Sequence, residues 1–140
     1  VPQRPPAPHR HEIKVRFYEL DPYGHLNHSV FIQFFEVGRV ELLDSVGLGL
    51  DVFRERGYQF VVTNIETSFE RSVVAGDVLT VETEVLDVRR ASSRWRQRLL
   101  RDGEIVARQT LRAAITDPSG KPIRAPESLA VDLAPFMVDE

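Results

Sequence analysis

The sequence predicts an α+β fold: a single domain with one antiparallel β-sheet of about five strands wrapped around a long central α-helix. Three features point there. The stretch SVFIQFFEVGRVELLDSV, Ser29 to Val46, repeats its apolar residues with helical spacing and is apolar nearly all round in its first half, so the helix needs enclosing. Before it, Ile13, Val15 and Phe17 alternate with Lys14 and Arg16, the period of a half-buried strand. After Gly57 the period is two almost to the end, in runs long for strands, which calls for a strongly twisted or curved sheet. One curved sheet around one apolar helix satisfies both demands and leaves a sheet face for another subunit.

The elements follow in order. Residues 1–11, VPQRPPAPHRH, carry four prolines and no apolar period, and read as a flexible arm before a domain spanning 12–140. The arm lacks the basic start and apolar run of a signal peptide. A strand is expected over Glu12–Leu20, then a turn-rich loop, DPYGHLNH, in which Asn27 or Ser29 can cap the helix. On the helix, Phe31, Phe34, Phe35, Leu42 and Val46 share a face. Gly38 costs about 1 kcal/mol relative to alanine, which close approach of another backbone would justify. A short helix follows over Leu50–Glu55, ending at Gly57. Strands are expected over Tyr58–Arg71, Val78–Arg89, Ser93–Arg101 and Glu104–Asp117, the last two joined by an Asp102-Gly103 hairpin turn. A short helix over Glu127–Leu133 closes the chain.

Composition narrows the chemistry. A chain of 140 residues buries roughly two-thirds of its unfolded surface and needs no covalent staple. With no cysteine, disulfides, thiolate metal sites and thiol nucleophiles are excluded, and a cytoplasmic location is the simplest expectation. No apolar run approaches the ~20 residues of a membrane span. A net charge of −3 argues against nucleic acid as a partner.

The stretch VRFYELDPYGHLNHSVFIQFFEVGR resembles the N-terminal signature of the hotdog-fold thioesterases, in particular the 4-hydroxybenzoyl-CoA thioesterase-like group. That pattern is an aromatic-ending strand, an Asp-x-x-Gly-His-x-Asn loop, and a helix with an aromatic pair and Glu-x-x-Arg. Asp21, Gly24, His25, Asn27, Phe34, Phe35, Glu36 and Arg39 fill it. The likeness extends to the later strands and the Gly76-Asp77 turn. It implies hydrolysis of an acyl thioester, on coenzyme A or on the phosphopantetheine of an acyl carrier protein, with no further cofactor and no metal, by a homodimer or homotetramer.

The residues support such chemistry on physical grounds. Asp21 stands at a strand-to-helix junction, beside N–H groups and a helix dipole that favour negative charge. Backbone donors near Asn27 and His28 can stabilise a thioester oxyanion without reorganising. Asp21 can then act as general base on water or as nucleophile; its alternative is a turn or capping residue before Pro22. His25 is expected to order the loop or touch substrate, and Phe31, Phe34 and Phe60 to wall the acyl group. His28 and Phe31 stand where the pattern commonly has Asn and Tyr, which bears on substrate preference. Asp21, His25 and His28 have spacings that would suit a metal on a helix, but Pro22 and Gly24 make the stretch non-helical.

Glu36 and Arg39 are spaced for an i,i+3 ion pair and, in an enclosed helix, need partners. Glu66 is a second carboxylate candidate or simply part of a strand's polar face. In VRRASSRWRQR, Arg89 and Arg90 are the best candidates for coenzyme A phosphates, because guanidinium forks suit phosphate oxygens; the bland reading of the cluster is a solvated strand face. Other readings are a 3-hydroxyacyl-thioester dehydratase or hydratase, against which the lack of a helix-interior His counts, and a non-hydrolytic acyl-binding module.

Overall fold

The computed structural model describes residues 5–138. Strands β1 (His9–Lys14), β2 (Gln59–Phe69), β3 (Val78–Val88), β4 (Ser92–Arg101) and β5 (Glu104–Thr116) form one antiparallel sheet in the order β1-β3-β4-β5-β2. Helices α1 (His28–Ser45), α2 (Leu50–Glu55) and α3 (Ser128–Leu133) pack with it. The chain enters at one sheet edge, passes through α1 and α2, and lays β2 down at the other edge. The three central strands are joined by short turns. At the β4–β5 turn both Asp102 and Gly103 have positive φ, at 50° and 78°, the backbone that a two-residue turn matched to strand twist requires.

The inner face of the sheet is apolar at both ends and polar in the middle. At one end Phe31, Phe34 and Phe35 pack with Ile13, Leu79 and Leu99. At the other, Leu42, Leu43 and Phe53 pack with Val85, Trp95 and Ile115. Between them lie buried Thr83, Gln97 and Gln109, a layer that must satisfy its own hydrogen bonds. Gln97 Nε2 donates to Phe35 O at 2.7 Å and to Thr83 Oγ1 at 2.9 Å, and Gln109 Nε2 donates to Thr67 Oγ1 at 2.9 Å.

The opposite face is charged. Glu82 and Glu84 are buried beneath arginines of neighbouring strands: Arg10 and Arg98 on Glu82, Arg96 and Arg98 on Glu84. The alternating arginines of β4 are therefore matched across the strands, not left to solvent alone.

Several expectations need correction. The first strand begins at His9, inside the proline-rich stretch expected to be an arm, because His9, Arg10 and His11 pair with Thr83, Glu82 and Val81 of β3; residues 1–4 lie outside those described. It also stops early. Phe17–Glu19 form a 3-10 turn, closed by Arg16 N–H donating to Glu19 Oε1 at 2.7 Å, so Phe17 is 79% exposed instead of facing inward with Ile13 and Val15. The sheet covers one side of α1 only, and Glu36 and Val37 stay exposed on the other. What crowds Gly38 is side chains of β3 and β4, not a backbone.

Candidate active site

The loop from Leu20 to Asn27 is built by its own hydrogen bonds. Asp21 Oδ1 accepts from the N–H groups of Tyr23 at 2.9 Å and His25 at 3.2 Å, and Asp21 N–H donates to His25 O at 2.7 Å. Gly24 takes φ 83°, a backbone that glycine adopts at little cost. Outside the loop, Leu26 N–H donates to Val73 O at 2.7 Å and Asn27 N–H to Glu19 O at 3.0 Å. The end of the loop is thus pinned to the body and closed onto the chain that enters it. Asp21 uses one carboxylate oxygen in this frame; the other, Oδ2, has no hydrogen-bond partner among the described residues.

Asn27 caps α1. Its Oδ1 accepts from Ser29 N–H at 3.0 Å and from Ser29 Oγ at 2.9 Å, while its carbonyl accepts from Val30 and Phe31 N–H. Of the two N–H groups expected to hold an oxyanion, that of Asn27 is engaged by Glu19 O. That of His28, the first residue of the helix, makes no hydrogen bond among the described residues. It is one of the donors a helix start leaves open.

Asp21, His25, His28 and Phe31 are brought together around an open cleft of about 300 Å³. Its far wall is Phe69 and the turn Glu70–Ser72. Phe69 meets Phe31 edge-on with ring centroids 5.3 Å apart and His28 at 6.3 Å. These wall residues are not apparent from the sequence alone; the signal was an aromatic ending a strand just before a turn.

The other candidates lie elsewhere. Phe34 is buried in the core beside β1 and lines a surface hollow with His11 and Val37. Phe60 stacks on Phe53 at 4.7 Å and lines a second cavity, of about 120 Å³, between α1, α2 and the inner face of β2. Arg89 and Arg90 are exposed at the far ends of β3 and β4, beside Arg124 and Glu127; 11-residue β3 puts them roughly 30 Å from the Asp21 end of the same sheet. Glu66 faces outward opposite Thr110. Among the described residues no three His, Asp or Glu side chains cluster for a metal ion, and no helix is long and apolar enough to cross a membrane.

Arg39 departs most from expectation. No ion pair joins it to Glu36 among the described residues. Its Nη1 instead donates to Gln97 Oε1 at 2.8 Å and Gln109 Oε1 at 2.9 Å, completing the polar layer of the core. Burial holds its guanidinium down at about 10, with the Glu36 charge acting the other way.

Residues 15–133 match the Thioesterase-like superfamily, and the chain belongs to that family. It is 28% identical over 119 residues to the acyl-CoA thioesterase YbgC of Haemophilus influenzae, covering 84% of this chain and 88% of that one. It is 31% identical over 77 residues to the acyl-acyl carrier protein thioesterase ATL3 of Arabidopsis thaliana, which spans 55% of this chain and only 40% of the relative. Among solved structures, a probable thioesterase from Bartonella henselae superposes with a TM-score of 0.82 at 27% identity, over 86% of this chain and all (100%) of that one.

Proposed function

We propose that this protein hydrolyses acyl thioesters of coenzyme A or acyl carrier protein, with Asp21 as the reacting carboxylate and the His28 N–H as oxyanion donor. The observation that carries the proposal is their pairing across one cleft: a carboxylate with a free oxygen beside the single first-turn N–H of α1 left open among the described residues. A thioester carbonyl seated on that N–H would have its developing charge stabilised by a fixed donor and the helix dipole. Asp21 then takes a proton from water, or attacks the carbonyl carbon and expels the thiol for water to finish. Phe31 and Phe69 flank the acyl entrance, and exposed His25 stands at the rim.

A homo-oligomer suits the same geometry. Edge strand β2 exposes Val62, Ile65 and Phe69 of its inner face by 41%, 40% and 46%, an apolar strip that a second copy would cover. If Arg89 and Arg90 hold coenzyme A phosphates, they serve a partner's cleft, given their distance from Asp21 in one chain.

The test is thiol release from a panel of acyl-CoA and acyl-carrier-protein thioesters. Asp21→Asn keeps the Oδ1 acceptor that frames the loop, so it removes the base while preserving the fold. A loss of about 10²–10⁴-fold is expected. Proline is tolerated at the first helical position but has no N–H, so His28→Pro deletes the donor, with an expected loss of about 10²–10³-fold, whereas His28→Ala keeps it. Near-normal turnover in Asp21→Asn would refute the assignment.

A further inference from the structure

The second cavity is lined mainly by Val40, Leu43, Phe60, Val62 and Leu111, with Glu36 and Arg39 as its charged residues. It lies on the same seam as the Asp21 cleft. Helix α1 contributes Phe31 to one and Arg39 to the other, eight residues or about 12 Å apart along the axis; β2 contributes Phe69 to one and Phe60 and Val62 to the other. Between them the inner face of β2 carries half-open Ile65.

Arg39 is an unusual tenant for an apolar cavity. Its Nη1 is held by two amide oxygens and by no carboxylate. Nε and Nη2 have no partner among the described residues, and neither is sealed inside the protein. Spare donors beside a mostly apolar cavity are open to an acceptor that enters it, and pair better there than with an alkyl chain that displaces water from them. Glutamine carbonyls orient the fork without neutralising it, so its charge remains available. The depressed affinity of Arg39 for its proton agrees with that incomplete compensation.

We propose that this cavity seats a polar group on the acyl chain. Arg39, oriented by Gln97 and Gln109, receives a hydrogen-bond-accepting oxygen (keto, hydroxyl or carboxylate) carried along the acyl group from the thioester, whose seat at His28 lies eleven residues, or about 16 Å, back along the helix axis. This rests on the thioesterase reading, since it takes the Asp21 cleft as the place where the thioester sits. The preferred substrates are then oxygen-bearing acyl thioesters and not plain hydrocarbon ones, because an alkyl chain leaves the spare N–H groups unpaired.

The experiment compares kcat/KM for matched acyl-CoA pairs, plain against ω-hydroxy or ω-carboxy, over about eight to fourteen chain carbons, which bracket the reach from the His28 N–H to Arg39. Wild type should favour the oxygenated member of at least one pair by about tenfold or more, the worth of one charge-assisted hydrogen bond. Arg39→Met should collapse that ratio, and Arg39→Lys should keep part of it. A general loss of packing would lower both rates and leave the ratio alone. The proposal is overturned if wild type shows no preference in any pair, or if Arg39→Met shows the wild-type ratio. Calorimetric binding of the same pairs to Asp21→Asn gives the ratio without turnover. A preference seen there and lost in Asp21→Asn/Arg39→Met upholds the cavity even if hydrolysis fails, and a missing preference sinks it even if hydrolysis succeeds.

Discussion

Gly38→Ala sets two well-known effects against each other. In an ordinary helix, alanine is about 1 kcal/mol better than glycine, so propensity alone predicts a more stable protein. Here a Cβ at position 38 would clash with Val81 Cγ1 and lie 2.9 Å from Thr83 Oγ1 and 3.2 Å from Gln97 Nε2. None of these neighbours yields easily. Val81 is fully buried and β-branched, with a stiff χ1, and Gln97 is fastened to Phe35 O and Thr83 Oγ1. Overpacking a well-filled core costs about 1–3 kcal/mol, and weakening one buried hydrogen bond adds about 1 kcal/mol. Against the gain of about 1 kcal/mol, the net is a loss of about 1–3 kcal/mol, or roughly 3–12 °C in Tm for a chain of this size.

The assay is thermal or urea unfolding followed by circular dichroism at a fixed protomer concentration, since self-association would shift the midpoint. Val81→Ala removes the nearest clashing atom and completes a double-mutant cycle. The penalty of Gly38→Ala should shrink by about 1 kcal/mol or more in that background. If Gly38→Ala is as stable as wild type, or carries the same penalty with Val81→Ala, the close approach of α1 to β3 is not what holds this position as glycine.

Two further outcomes follow from particular hydrogen bonds. Asn27→Ala removes the cap on Ser29 and should cost about 1 kcal/mol by urea titration; it should also slow thiol release, because the His28 N–H loses its fixed place. Asp77 is held below the ordinary carboxylate range chiefly by the Val74 N–H, with the Arg101 guanidinium adding to it. A carboxylate whose folded pKa lies below its unfolded value of about 3.9 stabilises the fold above that pH and loses the contribution as pH falls through the folded value. Asp77→Asn should therefore lose about 1 kcal/mol near neutrality and show a flatter stability profile between about pH 5 and 2 than wild type.

Much of the fold was legible because its signals are local. The period change after Gly57, the Asp102-Gly103 pair and the apolar run through Phe35 each act within one element, and the helices and later strands fall where those signals place them, to within a few residues. The first strand shows where local signals stop. Ile13, Val15 and Phe17 alternate alike, yet only the first two are buried, because Glu19 caps Arg16 and turns the chain. Nor did the proline-rich start reveal that His9 to His11 would pair with β3, since the partner of an edge strand is not written in its own residues. Likewise, the apolar run of early α1 suggested full enclosure, whereas one side stays open along with the inner face of β2.

The site divides along the same line. Asp21, His25, His28 and Phe31 occupy one short stretch, so a loop motif was enough to bring them together. Phe69 and Ser72 join them only once β2 is laid at the sheet edge. The partners that an enclosed Arg39 was expected to need were hidden for a related reason: an i,i+3 carboxylate is the nearest visible one, but its actual partners lie 58 and 70 residues away. Gln97 and Gln109 sit at inward positions of central strands, where an apolar residue would pack without needing hydrogen bonds. A core that keeps two buried amides in order to aim one guanidinium stabilises itself less well than a core of leucines would. That expense is intelligible if the guanidinium has something to bind, as the proposed seat for a polar acyl group beside Arg39 requires.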